Sequence, residues 1–234
     1  MAAITWQNVY AEHTDLYDEM IAGEDFEGNL LPALNQIHPL DQKEIVEFGA
    51  GTGRLTTQLV GRAYAVHAFD LTSAMLVRAH QKLKTLNKSN WTLGVADSRN
   101  MPLPQAKADV AVEGWSVAQV MTWNSNNWQA AVEAVLNEMV RVVRPGGVIL
   151  LIETLGTGEK TPQAPDRFVP LYEYFEKDRH ASRKWIRTDI RYPSRSVAQR
   201  TVGELFGEAI VDRGWETTEG FVLPECTGIW WFRR

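Results

Sequence analysis

A glycine-rich turn between an apolar run and a helical pattern is the segment with the clearest chemical potential. Gly49, Gly51 and Gly53 follow the apolar run 44–48 and precede residues with helical spacing. Glycine allows positive φ angles and removes the Cβ atoms that would hold a ligand away from the main chain. The turn therefore predicts a place where a ligand contacts bare backbone, although a glycine trio alone fits equally well a tight turn that binds nothing.

Acidic residues at the ends of the next two apolar runs add to this signal. Asp70 ends the run that starts at residue 63, and a carboxylate there can accept hydrogen bonds from both hydroxyls of a ribose. Asp97, with Ser98 beside it, follows the run 91–96 and can meet the amino edge of an adenine ring. Each acid alone also fits a helix N-terminus or a solvated loop. Together with the glycine turn, and in this order, they indicate a nucleoside-like ligand.

A parallel sheet would bring these residues together, and residues 43–155 have the sequence pattern of such a sheet. Short apolar runs alternate there with helical periodicity, which is typical of repeated strand–helix crossovers. Five strands are predicted, at 44–48, 63–69, 91–96, 109–112 and 148–152. A hydroxyl in Leu71-Thr72-Ser73 is predicted to cap one helix, and Pro145-Gly146-Gly147 is predicted to end another.

The segments on either side of this core have different patterns. Residues 1–42 carry two short amphipathic patterns, which predict a helical cap over the sheet edge. Residues 156–200 start as a loop and then interleave aromatic residues with arginines, which predicts a lid or, alternatively, a surface helix packed on the sheet. Residues 201–234 predict a helix and a closing strand pair. We expect all four segments to form one α/β domain.

Composition narrows the class of protein. The 234 residues are 44% hydrophobic, which is ample for one core, and the net charge of −5 disfavours a nucleic-acid partner. The single cysteine, Cys226, can form neither an internal disulfide nor a cysteine-rich metal site, so we expect no metal and a reducing, cytoplasmic location. No apolar stretch approaches the ~20 residues of a membrane-spanning helix, so no membrane association is expected.

Four motifs together resemble the class I S-adenosylmethionine-dependent methyltransferases. The motifs are Val46-Glu47-Phe48-Gly49-Ala50-Gly51-Thr52-Gly53, Phe69-Asp70, Ala96-Asp97-Ser98 and Val142-Val143-Arg144-Pro145-Gly146-Gly147. The resemblance implies a Rossmann-like, seven-stranded and mostly parallel sheet with an antiparallel strand near its edge, for which residues 227–232 are the candidate. It also implies S-adenosylmethionine as cofactor, S-adenosylhomocysteine as product and a methyl acceptor as substrate.

The same resemblance implies which residues contact the cofactor. In this family the glycine turn lies against the methionine part, the acid after the second strand holds the ribose, and the acid after the third faces adenine. Glu47 matches an acid that organises the turn and the cofactor amino group through water. The implied cofactor contacts are Glu47, Gly49, Ala50, Gly51, Gly53, Asp70, Leu71, Met75, Asp97, Ser98, Glu113, Gly114 and Trp115.

The sequence gives less information about the part of the site that binds the methyl acceptor, and no residue is assigned a catalytic role. Glu113 follows the fourth strand, where the family places the acceptor, and it is predicted either to orient the acceptor or take its proton, or to hold Gly114 and Trp115. The loop lacks an Asn-Pro-Pro-Tyr motif, which disfavours DNA adenine as acceptor. Further catalytic candidates are His13 and Tyr17. A lid would bring Tyr172, Trp185 and Arg187 to an anionic or aromatic small-molecule acceptor.

A nicotinamide-dependent oxidoreductase is the main alternative, because its fold also begins with a strand, a glycine turn and a helix, with an acid after the second strand. A pyrophosphate needs the spacing G-x-G-x-x-G, whereas Arg54 stands here in place of the third glycine. This spacing favours the methyltransferase resemblance. A module that binds S-adenosylmethionine without turnover also stays open, and the sequence predicts no oligomeric state.

Overall fold

The centre of the protein is a seven-stranded sheet in the computed structural model, which describes residues 6–234. The strands of the described chain are β1 (Glu44–Phe48), β2 (Ala65–Asp70), β3 (Trp91–Val95), β4 (Ala108–Gly114), β5 (Val143–Thr157), β6 (Ser182–Arg187), β7 (Ile190–Tyr192), β8 (Trp215–Thr217), β9 (Gly220–Leu223) and β10 (Glu225–Arg233). The order of the main sheet is β3-β2-β1-β4-β5-β10-β6, and β7-β9-β8 form a small second sheet. Strands β1 to β5 pair in parallel, whereas β10 runs antiparallel to β5 and β6. The predicted fold class is confirmed.

Helices cover both faces of the main sheet. The described α-helices are α1 (Trp6–Glu12), α2 (Thr14–Ile21), α3 (Leu30–Ile37), α4 (Arg54–Leu59), α5 (Ser73–Thr85), α6 (Val117–Trp123), α7 (Trp128–Val142), α8 (Val169–Lys177), α9 (Arg195–Ala198) and α10 (Glu204–Phe206). Side chains of α3, α4 and α5 form the core on one face, and those of α6, α7 and α8 form the core on the other. Within residues 6–234, no helix is both long and apolar enough to cross a membrane.

The strands in the middle of the sheet are buried on both faces. In β1, Val46 and Phe48 join the core beneath α7, whereas Ile45 joins the core beneath α4 and α5. Successive side chains of a strand point to opposite faces, so a strand covered on both sides is almost continuously apolar. This explains why the central strands β1, β4 and β5 were predictable. All five predicted strands are present, but β3 is a partly exposed edge strand, β2 starts at Ala65 and β5 extends well beyond the predicted 148–152.

The segment Pro145-Gly146-Gly147 does not end helix α7 in the way the sequence predicted. The helix stops earlier, at Val142, and Val143 is already extended with φ −81° and ψ 143°. Residues ahead of a proline are biased towards extended backbone, which accounts for the earlier end. Gly146 has φ +83°, and Gly147 O accepts a hydrogen bond from Arg234 N (3.1 Å). The three residues therefore lie within the long strand β5, fastened to the C-terminal residue.

Part of the segment 156–200 joins the core of the main sheet, whereas Thr157, Arg167, Phe168 and Ile190 line a cavity that is described below. Helix α8 buries Leu171, Tyr172 and Phe175 against the main sheet, and β6 forms one edge of that sheet beside β10. The aromatic residues and arginines of this segment are divided between two elements: Tyr172, Tyr174 and Phe175 lie on α8, whereas Arg183, Trp185 and Arg187 lie on β6. Periodicity does not reveal which strand an edge strand will join, so the sequence did not predict that β6 completes the main sheet.

The sequence predicted that two strands near the C-terminus pair with each other, and the structure has both strands but not this pairing. Strand β10 joins the main sheet, whereas β9 pairs with β7 and β8 and not with β10. The helix predicted from residue 201 is present as far as Phe206, as the end of a continuous helical stretch that starts at Arg195 and is π-helical over Gln199–Gly203. Gly207, with φ +95° and ψ 146°, ends it, and a 3-10 helix follows over Glu208–Arg213. The φ and ψ angles of Gly207 differ from those of an α-helix, so the helix cannot continue through this residue.

The two predicted N-terminal helices are α2 and α3, and they cover different sheets. Helix α3 packs on the main sheet through Leu30 and Leu34. Helix α2 packs on the small sheet, where the hydroxyl of Tyr192 donates to Met20 O (3.0 Å). Helix α1 precedes them and was not predicted. The N-terminal segment thus links the small sheet to the carboxyl edge of the main sheet.

Candidate functional site

The glycine turn joins β1 to α4 and exposes its main chain to a cavity. Gly49 and Gly51 have φ angles of +68° and +55°. A Cβ atom on Gly49 would lie 2.4 Å from Cβ of Ser116, so glycine is needed there for close packing of two loops. A Cβ atom on Gly51 would meet no protein atom within 4 Å. Gly51 also lines the cavity, so the space in front of its backbone is open to a ligand.

The carboxylate of Asp70 fastens this turn to the start of α5. Its Oδ2 accepts a hydrogen bond from Gly51 N (2.8 Å), and its Oδ1 accepts one from Thr72 N (2.8 Å). Burial raises the pKa of Asp70, and these two N–H groups act in the opposite direction. The predicted hydroxyl cap of α5 is wrong, since no side chain caps that helix. Each oxygen of Asp70 keeps a lone pair, so the pair can accept hydrogen bonds from a vicinal diol.

The cavity in front of the turn has a volume of about 770 Å³ and lies at the carboxyl ends of β1, β2 and β4. This is where open α/β sheets commonly bind ligands, beside the point where the strand order reverses. The structure brings these sequence-predicted residues to its wall: Tyr17, Gly49, Gly51, Asp70, Leu71, Met75, Asp97, Ser98, Gly114 and Trp115. Sequence reasoning missed other wall residues, which are Tyr10, Thr72, Arg99, Ser116, Gln119, Val120, Trp123 and Asn124.

Three of the predicted cofactor residues support the turn from behind and do not line the cavity. Ala50 N donates to Phe69 O (2.9 Å), and a Cβ atom on Gly53 would approach Ala79 at 3.0 Å. Glu47 is buried, and its Oε2 has no hydrogen bond of normal geometry within the described residues, although Thr56 lies beside it. Burial raises the pKa of Glu47 to about 8. An orphaned carboxyl oxygen beneath an open turn is unusual in a folded protein.

Glu113 also lies outside the cavity, where its carboxylate organises the loop that follows β4. Its Oε2 accepts hydrogen bonds from Ser116 N (3.0 Å), Ser116 Oγ (3.0 Å) and Val117 N (3.2 Å), and its Oε1 accepts one from Ile152 N (3.2 Å). Burial raises the pKa of Glu113 to about 7. Of its two predicted roles, the geometry supports the one in which Glu113 holds the loop.

Asp97 faces the cavity as one half of an ion pair. Arg99 approaches it with two nitrogens, Nη2 to Oδ2 at 2.6 Å and Nε to Oδ1 at 2.9 Å. These hydrogen bonds lower the pKa of Asp97. A ligand at this end of the cavity therefore meets a planar guanidinium and a carboxylate together, which the sequence alone did not predict.

A second cavity of about 810 Å³ adjoins the first. The two share wall residues from the N-terminal helices and the loop after β4, which are Tyr10, Tyr17, Trp115 and Gln119. The second cavity also has aromatic walls from Trp6, Phe168 and Phe206, and its polar groups include Glu153 and Glu225. One feature of the sequence could have drawn attention to these residues. Glu153 is an acidic residue inside the otherwise almost continuously apolar strand β5.

Trp115 lies at the junction of the cavities in a strained conformation. Its φ is +59°, which is rare for a bulky residue. Arg54 lies over the indole at 3.6 Å from the ring centroid, and its guanidinium forms an ion pair with Glu24. The stack of Arg54 on Trp115 holds the ring between the two cavities.

The structure does not bring the remaining predicted residues to either cavity. His13 is exposed between α1 and α2. Tyr172 is buried, stacks on Trp230 with ring centroids 4.7 Å apart, and donates its hydroxyl to Thr154 O (2.7 Å). Trp185 lies on the edge strand β6, and Arg187 on the same strand pairs with Asp189. None of these four residues lines either cavity, so the structure gives no support to their predicted catalytic and acceptor-binding roles.

Comparison with known proteins explains why these residues meet. A sequence model of the family described as "Methyltransferase domain" matches residues 45–147, from β1 to the glycines in β5. A malonyl-[acyl-carrier protein] O-methyltransferase from Serratia marcescens is 29% identical over 189 residues, which cover 81% of this chain and 66% of that protein. Residues 45–147 therefore match the methyltransferase domain family, and the chain resembles S-adenosylmethionine-dependent methyltransferases.

Two further likenesses fit this family. A biotin biosynthesis bifunctional protein from Cellvibrio japonicus is 32% identical over 51% of this chain and 21% of its own length. The chain therefore spans less than two thirds of the length of each of these curated relatives. The solved structure of a methyltransferase from Aquifex aeolicus covers 93% of this chain and 95% of its own, with a TM-score of 0.58 and 14% identity. At that identity the likeness shows the fold alone.

The residues around the first cavity fit S-adenosylmethionine. The open space in front of Gly51 leaves room for a ligand against the main chain. The lone pairs of Asp70 suit the two hydroxyls of a ribose, and the orphaned Oε2 of Glu47 suits an amino group reached through water. The match to the methyltransferase domain family also favours S-adenosylmethionine over the nicotinamide-dependent alternative.

Proposed function

We propose that this chain transfers a methyl group from S-adenosylmethionine to a small molecule held in the second cavity. The observation that carries the proposal is the contact between the two cavities along Tyr10, Tyr17 and Trp115, with the glycine turn on one side only. When bound, S-adenosylmethionine supplies an electrophilic methyl group and leaves as S-adenosylhomocysteine. The chain itself needs to align two ligands and exclude water, and the aromatic wall between the cavities suits both tasks.

Individual cofactor contacts follow from the geometry of the first cavity. We assign the main chain of Gly49 and Gly51 to the methionine part and Asp70 to the ribose, because these groups line the cavity on the same side. The adenine end is assigned to a set that also lines the cavity, namely Leu71, Met75, Asp97 and Ser98. Glu47 acts from behind the turn. No side chain is assigned as a general base.

A small molecule is the proposed acceptor, and the cytoplasm is the proposed location. The net charge of −5 disfavours a polyanionic partner such as nucleic acid. The lone Cys226 is buried, as a reduced structural thiol would be, and this supports a reducing compartment.

Calorimetry tests the cofactor assignment directly. The protein is titrated with S-adenosylmethionine, S-adenosylhomocysteine and NADH, and we expect binding of the first two and none of the third. Binding of NADH alone would contradict the proposal. A panel of amines, carboxylic acids, phenols and thiols, assayed by release of S-adenosylhomocysteine, then separates an enzyme from a module that binds the cofactor without turnover.

Replacing Asp70 tests the ribose contact. Asp70→Ala is expected to weaken binding of S-adenosylhomocysteine by about 1 to 3 kcal/mol, or roughly 5- to 150-fold, because it removes charge-assisted hydrogen bonds. Because Asp70 also holds Gly51 N, Asp70→Asn serves as a partner variant that keeps one acceptor oxygen and the side-chain volume. It should lose less affinity than Asp70→Ala. Unchanged calorimetric affinity in a folded Asp70→Ala protein would refute the assignment.

A further inference from the structure

The polar groups of the second cavity are unusual because two of them are buried carboxyls without a cation of their own. Glu153 is 1% exposed and Glu225 is 3% exposed. Within the described residues neither forms an ion pair. Arg54 exerts a charge effect on Glu225, but its guanidinium is already paired with Glu24. A buried carboxylate is costly unless a positive group or hydrogen-bond donors compensate its charge. The described part of the protein supplies no free cation to these two carboxyls, so a ligand with a positive charge would stabilise their ionised form.

Neighbouring strands place these two groups on the cavity wall. Glu153 belongs to β5 and its Oε1 accepts a hydrogen bond from Ala118 N (2.7 Å). Glu225 opens β10, and its Oε1 accepts from Thr154 Oγ1 (2.6 Å). The other oxygen of Glu225, Oε2, is buried and has no hydrogen bond of normal geometry, although Thr157 is nearby. Glu225, a residue of the cavity wall, therefore has one carboxyl oxygen to which no described residue donates a hydrogen bond of normal geometry.

Titration behaviour is consistent with a missing positive partner. Burial raises the pKa of Glu225 to about 7. Burial, and then the charge of Glu113, raises the pKa of Glu153 well above its usual range. A ligand that brings a positive charge or several N–H donors would favour the ionised carboxyls.

The walls around these carboxyls suit the rest of such a ligand. Tyr10, Tyr17, Phe168 and Phe206 line the cavity with aromatic rings, which bind apolar surface and attract cations to their faces. Arg167 also lines the cavity, but it is exposed beside the ring of Phe168. Arg54 lines the cavity too and is largely buried, but Glu24 already pairs with its guanidinium. Among the described residues, a carboxylate ligand would therefore face Glu153 and Glu225 without a free buried cation to receive it.

We propose that the second cavity selects a methyl acceptor with an amine on a compact aromatic or apolar body, and that Glu153 and Glu225 receive the amine. This inference rests on the proposed function, because the cavity is an acceptor site only if the first cavity holds the cofactor. Of the two alternatives expected from the sequence, an anionic or an aromatic acceptor, it agrees with the aromatic one and replaces the anionic one. Glu153 and Glu225 are specificity-determining residues in this scheme, since they recognise the nitrogen through charge and hydrogen bonds.

Three ligands with one ring system test the proposal on the unaltered protein. 2-Phenylethylamine, 2-phenylethanol and phenylacetate are titrated by calorimetry into protein saturated with S-adenosylhomocysteine. We expect the amine to bind at least about tenfold more tightly than either of the other two, which corresponds to one charge-assisted contact. Equal or tighter binding of phenylacetate or 2-phenylethanol, or binding by none of the three, would overturn the proposal.

Two isosteric variants locate the preference. Glu153→Gln and Glu225→Gln keep the side-chain volume and remove the negative charge, and each should reduce the preference for the amine about tenfold. Glu216→Gln, the same change on the exposed strand β8, should leave the preference unaltered. A preference that survives in both folded cavity variants would overturn the assignment of these carboxyls. If neither variant folds, the ligand series on the unaltered protein decides.

These outcomes are separable from the fate of the proposed function. If the unaltered protein binds no S-adenosylhomocysteine, the methyltransferase proposal fails before any acceptor is added. If it binds S-adenosylhomocysteine normally and prefers phenylacetate, only the amine inference fails.

Discussion

Replacing Gly51 with asparagine is expected to weaken binding of S-adenosylhomocysteine at least about 100-fold while the protein stays folded. Asparagine tolerates the left-handed backbone better than other side chains, so the φ of +55° at Gly51 adds only about 1 kcal/mol of strain. The new side chain meets no protein atom at its Cβ position and projects into the first cavity. It therefore occupies the space that a cofactor would need, and calorimetry measures the loss.

Gly146→Asn is the matched control for this experiment. Gly146 has φ +83°, and a Cβ atom there also meets no protein atom within 4 Å, but this glycine is exposed and far from both cavities in the sheet. The two variants should lose similar thermal stability, whereas only Gly51→Asn should lose affinity. Equal affinity in both would mean that no ligand approaches the turn, and the cofactor site would have to lie elsewhere.

Removing the carboxyl of Glu113 is expected to destabilise the fold by about 3 to 5 kcal/mol. Glu113→Ala leaves the backbone N–H groups of Ser116, Val117 and Ile152 in the interior without their acceptor, and each such group is costly when buried. It also opens a space in the core beside β5. Urea denaturation, followed by tryptophan fluorescence, measures the change in the free energy of unfolding.

The size of this effect separates the two roles predicted for Glu113. Glu216→Ala, on the exposed strand β8, is the control and should change the free energy of unfolding by about 0.5 kcal/mol or less. If Glu113→Ala unfolds like the unaltered protein yet loses methyl transfer, Glu113 acts on the acceptor and not on the loop. If it is destabilised as expected, any loss of turnover follows from the displaced loop.

The sequence predicted the cofactor half of the site because its signals are local. The glycine turn connects the end of β1 directly to the start of α4, and Asp70 ends the next strand, β2. Parallel strands connected by helices place their carboxyl ends along one edge, so chain order alone brings Gly51 and Asp70 together. The hydrogen bond from Gly51 N to Asp70 is the outcome of that rule.

The sequence singled out Glu47 and Glu113 as candidate site residues, but it did not predict which way their side chains point. Both follow apolar residues at strand ends, which drew attention to them correctly, but a carboxyl at such a position can face a cavity or turn into the protein. The difference depends on which neighbouring N–H groups are available. For Glu113 these come from its own loop and from Ile152 on β5, so the side chain turns inward.

The sequence by itself determined the α/β class, the parallel core strands and the glycine turn that lines the first cavity, because periodicity and turn chemistry act over a few residues. The tertiary structure alone decided the second cavity, the proposed acceptor site, which joins α1 and α2 to Glu153 of β5 and Glu225 of β10. Those elements meet because β10 inserts between β5 and β6. Strand pairing over such long separations leaves no local pattern, and this is why the sequence did not predict that β6 joins the main sheet beside β10.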